Sequence, residues 1–134
     1  MPLVSVNLDE VVEKPRLPAG QPFTFSVLSC ELGIAKNENK NTHQREPLIK
    51  AVLTPMETGF DHVKVYQTWS LSPGALSSDD PTFSIKKFFL SIGRKWNSDG
   101  TFSTEDIATF RFIGTVKYEE GNNFPRLSSI LSGA

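Results

Sequence analysis

The sequence predicts an all-β domain with one helix between the third and fourth of five strands, and three observations carry that expectation. In His62–Leu71, the residues Val63, Val65, Gln67, Trp69 and Leu71 alternate with His62, Lys64, Tyr66, Thr68 and Ser70. Successive side chains of a strand point to opposite faces, so this run has one mostly apolar face and one polar or amphipathic face. The stretches 22–31 and 109–118 also alternate, through Phe23, Phe25 and Val27 and through Phe110, Phe112, Gly114 and Val116. Helical spacing appears in one place, where Phe83, Ile85, Phe88, Phe89, Ile92 and Trp96 form an apolar stripe.

The remaining elements follow in order. Residues 1–16 read as an N-terminal arm made acidic by Asp9, Glu10 and Glu13, and residues 17–134 as the domain. Pro15 and Pro18 restrict helix formation at the junction. The first strand, 22–31, leads into a polar loop from Gly33 to Pro47 whose cations are Lys36, Lys40 and Arg45. A second strand, 48–56, turns through Glu57–Asp61, where Gly59 can supply a positive φ, into the strand 62–71. The two should form an antiparallel hairpin. Residues 72–81 read as a loop, and the helix follows, capped by Asp80 or Thr82. Gly93 either ends this helix or is passed through at a cost of about 1 kcal/mol. One helical turn within 102–107, capped by Ser103 or Thr104, precedes the strand 109–118, and 124–131 forms a final strand or tail. This is the order of a five-stranded OB-fold barrel with the helix between strands 3 and 4. A small β-sandwich with an incidental helix and an α+β roll are the alternatives.

Composition narrows the function. The chain of 134 residues has 14 Lys+Arg against 15 Asp+Glu, so its net charge of −1 gives no global attraction to phosphate. Affinity for nucleic acid would then depend on the local charge of one face. A single cysteine, Cys30, excludes an intrachain disulfide and a multi-cysteine zinc site. No apolar run reaches the ~20 residues that span a bilayer, and the opening Met-Pro-Leu-Val-Ser-Val lacks a basic region followed by an apolar one. The expectation is a soluble cytoplasmic protein without a membrane partner.

Catalytic constellations are weak. His43 and His62 have no cysteine or carboxylate at ligand spacing, so no metal or other cofactor is expected. The acidic pairs Asp79-Asp80, Glu105-Asp106 and Glu119-Glu120 fall in turns or at a helix start, where they need no catalytic role. No Gly-rich phosphate loop is present, and no enzymatic activity is expected. The polar strand faces carry more chemistry. Lys50, Lys64 and Tyr66 come from the central hairpin and Arg111 and Lys117 from the fourth strand, with Lys36, Lys40 and Arg45 on the first loop. Cations that follow phosphates, beside rings that stack on bases, are how single-strand binders work. The same residues would equally keep an outer face soluble.

The chain also resembles a phage-borne family of small OB-fold single-stranded DNA-binding proteins linked to recombination and replication. The resemblance spans about residues 17–131. It lies in Leu-Pro-Ala-Gly-Gln-Pro-Phe-Thr-Phe at 17–25, in the polar passage entering a strand at 36–50, and in Lys-Lys-Phe-Phe-Leu-Ser-Ile-Gly at 86–93. Phe112–Glu119 with the closing stretch 124–131 completes it. It implies non-sequence-specific binding of single-stranded DNA, with phage or host replication and recombination proteins as further candidate partners. The C-terminus, Leu-Ser-Ser-Ile-Leu-Ser-Gly-Ala, departs from the acidic tail that many such proteins use to recruit partners. The competing expectation is an OB-like protein-interaction or structural module of a phage that binds no nucleic acid. Exposed strand edges also allow a homodimer.

Overall fold

The computed structural model describes residues 16–36, 38 and 43–134. Five antiparallel strands form one sheet: β1 (Phe23–Ile34), β2 (Pro47–Pro55), β3 (Val65–Ser70), β4 (Arg111–Lys117) and β5 (Arg126–Gly133). Their order across the sheet is β3-β2-β1-β4-β5, and the sheet curls into a half-barrel. The two edge strands, β3 and β5, approach one another across an open seam.

Alternation decides which residues face the inside of the half-barrel. β1 buries Phe23, Phe25 and Val27, β2 buries Ile49, Ala51 and Leu53, and β3 buries Val65, Gln67 and Trp69. The predicted central hairpin is present, with Leu48 to Leu53 paired to Ser70 to Val65. Gly59 adopts φ 96° in its turn. One device breaks the parity. A bulge between Val27 and Ser29 leaves Leu28 exposed and turns Cys30 inward opposite Ala51, although Cys30 shares its parity with the polar Thr24 and Ser26.

Where the sequence predicts one helix and one helical turn, three short helices stand between β3 and β4, the last of them the expected turn, capped by Ser103. They are α1 (Pro73–Leu76), α2 (Ile85–Ser91) and α3 (Thr104–Ile107). α1 lies in what reads as a loop, started by the Ser72 hydroxyl, which accepts the Ala75 N–H. Neither predicted cap starts α2. Asp80 Oδ1 accepts the Thr82 N–H at 2.9 Å and the Thr82 hydroxyl at 2.7 Å, closing a local turn before the helix begins. Ser84 caps instead, accepting the Lys87 N–H. Gly93, at φ 73°, ends α2: its N–H reaches the Leu90 carbonyl and the Arg94 N–H the Phe89 carbonyl. Phe83 and Trp96 therefore lie outside the helix that their spacing suggests.

α2 packs aromatic rings against the inner face of the half-barrel. Phe88 stacks on Trp69 at 4.7 Å between centroids and meets Phe112 edge-on at 5.3 Å, joining β3 to β4 through the core. Phe89 takes Trp96 and Phe102 edge-on. Among the described residues, no helix is long and apolar enough to cross a membrane.

Candidate nucleic-acid interface

The seam between β3 and β5 gathers exposed rings and cations. Alternation along β3 sends Tyr66 outward, 63% exposed, with Lys64 just before the strand on the same parity. On the far side, Lys117 ends β4 and pairs in register with Arg126 at the start of β5. Tyr66 lines two cavities. One, of about 370 Å³, is walled by Tyr66, Thr68, Phe83, Lys117 and Arg126 among others. The other, of about 350 Å³, is walled by Arg16, Lys64, Tyr66, Tyr118 and Phe124 among others.

Two sets of hydrogen bonds fix this geometry. Gln67 is buried on the core parity and Trp69 lies two residues on. Gln67 Nε2 donates to the Thr82 carbonyl at 2.7 Å, and Trp69 Nε1 donates to the Pro81 carbonyl at 2.9 Å. They hold the backbone that presents Phe83, 62% exposed, at the rim of the first cavity. At the second cavity the Tyr118 hydroxyl donates to the Leu17 carbonyl at 2.8 Å, and the Arg16 guanidinium lies 3.9 Å over the Tyr118 ring.

The cavities differ in charge. The first has Lys117 and Arg126 against Asp80 and Glu119, and Arg126 is held by Glu119 at 2.8 Å. The second has Arg16 and Lys64, with no carboxylate in its wall among the described residues. The Cys30 thiol lies elsewhere in the sheet, and burial, with Glu31 adding its charge, pushes it up to about 11, so almost none of it is thiolate at neutral pH.

Of the residues singled out from sequence, Lys64, Tyr66 and Lys117 meet at the seam. Lys50 is exposed on β2 opposite Glu31 and lines neither cavity. Arg111 pairs with Ser26 at the other end of β4. Lys36 follows the end of β1, and Arg45 Nε donates to the Ala35 carbonyl at 2.8 Å, bracing the base of the β1–β2 loop. Lys40 lies outside the described residues.

Sequence reasoning missed Phe83, Phe124, Arg126 and Arg16. Phe83 reads as part of the helical stripe, and only recognition of Ser84 as the cap would release it. Phe124 reads as a strand residue, yet it stands in the connection before β5 and is 69% exposed. Its setting between Asn122-Asn123 and Pro125 is the available signal.

No family model, curated protein or solved structure matches the chain.

Proposed function

We propose that the chain is a non-enzymatic OB-fold protein that binds single-stranded DNA with little sequence preference, serving phage replication or recombination in the host cytoplasm. The observation that carries this reading is the placement of Tyr66, an exposed ring that lines two cavities walled by Lys64, Arg16, Lys117 and Arg126. A strand order of 3-2-1-4-5 with the helices between β3 and β4 supports the OB assignment, because closing β3 onto β5 would complete such a barrel. The phage setting rests on the resemblance at 17–25, 86–93 and 112–119.

Binding should work by phosphate neutralisation plus base stacking, each stack worth roughly 1–3 kcal/mol. With about three to five phosphate contacts, log affinity should fall with log salt at a slope of roughly −2 to −3.5. Fluorescence anisotropy of labelled oligo-dT across a salt series, against duplex of equal length, tests it. No binding at about 50 mM salt, or binding insensitive to salt, sinks the reading.

One observation favours a second reading. Beyond its bulge β1 leaves Leu32 and Ile34 exposed two residues apart on one strand parity, and exposed aliphatics on one face are the kind of surface that protein contacts cover. A phage protein, a host protein or a second copy of this chain would sit there. Leu32→Lys that abolishes a co-purifying partner or a dimer, with oligo-dT binding absent from the start, would favour that reading.

A further inference from the structure

We infer that the seam is a two-base clamp, holding two consecutive bases of a single strand on either side of the Tyr66 ring; the inference rests on the single-strand reading above. Three exposed rings converge there from separate parts of the chain. Tyr66 comes from β3 and borders both cavities, Phe83 precedes α2 and borders only the first, and Phe124 precedes β5 and borders only the second. Each cavity thus offers one exposed ring of its own and shares the middle one, while Tyr118 in the second is half-buried beneath Arg16. That arrangement suits two flat ligands that are covalently linked across Tyr66.

The walls differ in a way that orients such a ligand. Arg16 and Lys64 both line the second cavity, and their charges favour phosphate on that side. In the first cavity, Lys117 and Arg126 are balanced by Asp80 and Glu119, while Thr68 and Ser128 supply hydroxyls. That wall suits an uncharged base with hydrogen-bonding edges better than a phosphate. The Phe83 platform is built in advance, because Gln67 and Trp69 hold the two carbonyls before it, so stacking there orders little new backbone.

Abasic oligonucleotides test the clamp on the full chain. Strands that are abasic except for two adjacent thymines, one thymine or none are titrated at low salt, and the two-thymine strand is titrated across a salt series as well. Two thymines should bind at least roughly 30-fold tighter than none, with one thymine in between. Phe83→Ala and Phe124→Ala should each reduce the two-thymine strand to about the one-thymine level, and Phe83→Tyr should restore it. Neither ring variant should change the salt slope, whereas Lys64→Ala should reduce it by about 0.7 without removing the preference for two bases. A fully abasic strand that binds as tightly as the two-thymine strand overturns the clamp and leaves backbone binding standing. So does a preference that survives both alanine variants. Failure of every strand to bind removes the single-strand reading itself.

Discussion

Gln67 binds the Thr82 carbonyl through its side-chain amide at 2.7 Å, from a position whose strand parity points into the core. The same Nε2 also donates to the carbonyl of Thr68, the next residue of β3, at 3.1 Å. With Trp69 bound to the Pro81 carbonyl, β3 carries two inward donors that tether one adjoining loop. The strand that presents Tyr66 on its outer side therefore holds Phe83 in place from its inner side.

Gln67→Leu nearly keeps the volume and removes the donor. The Thr82 carbonyl then loses its partner in a poorly solvated place, at an expected cost of about 1–3 kcal/mol. The denaturant midpoint should fall with no change in slope. Oligo-dT affinity should also fall, towards that of Phe83→Ala, because the platform loses its tether. A variant as stable as the parent would show that solvent satisfies the carbonyl.

Strand alternation made three of the five strands, β1, β3 and β4, legible in the sequence and placed Lys64 and Tyr66 on one outer face, because a half-buried strand imposes period two on its residues. The hidden features were those decided by competition between neighbours. Asp80 takes Thr82 into a turn, so Ser84 caps α2 and Phe83 is left outside it. The bulge in β1 likewise resets parity with no residue that announces it. Gln67, a polar residue on an apolar parity, was visible as an anomaly, but its partner lies 15 residues away across a loop. The seam itself required knowing that β3 and β5 face one another, and that depends on the curl of the whole sheet.

Lys64 and Lys50 should separate in their effect on binding. Both are exposed, but only Lys64 borders a cavity beside Tyr66. Lys64→Ala should weaken oligo-dT binding and reduce the salt slope by about 0.7, the share of one phosphate contact. Lys50→Ala, on β2 opposite Glu31, should leave the slope nearly unchanged. Tyr66→Ala should cost about 1–3 kcal/mol of binding with the slope intact. Equal effects of the two lysines would place the strand across β2 rather than along the seam.

Glu119 competes for the cation that nucleic acid would use. Its Oε1 lies 2.8 Å from an Arg126 guanidinium nitrogen, with both side chains more than half exposed. An exposed pair adds little to stability, so Glu119→Gln should leave the thermal midpoint close to the parent's. The freed guanidinium should tighten oligo-dT binding and steepen the salt slope by about 0.7. Weaker binding in Glu119→Gln would mean that Glu119 positions Arg126 rather than occupying it.

Gly114 sets the distance between β4 and β5. A Cβ at this buried position would stand 2.7 Å from the Ser129 carbonyl oxygen, which belongs to the paired strand. The ladder would have to part there, next to the Thr115–Ser129 hydroxyl contact of 2.6 Å. Gly114→Ala should cost roughly 1–3 kcal/mol, measured by chemical denaturation. Gly74 in α1 is the control, since a Cβ added there would meet nothing within 4 Å. Gly74→Ala should be neutral or stabilising by up to about 1 kcal/mol.

Cys30 should make stability depend on alkaline pH. Burial, then the nearby Glu31 charge, raises its thiol from 9.0 to about 11 in the folded chain. The folded state therefore holds the thiol proton more tightly than the unfolded state does. That preference contributes fully below about pH 9 and is lost as the pH rises towards 11. The unfolding free energy of the parent, minus that of Cys30→Ala, should be flat through neutral pH and decline between those values. The same shielding predicts slow reaction of folded Cys30 with a disulfide reagent at about pH 8, and a large acceleration once the chain is unfolded in urea. Equal rates in the two states would show that the thiol is open to solvent and that the bulge does not turn it into the sheet's inner face.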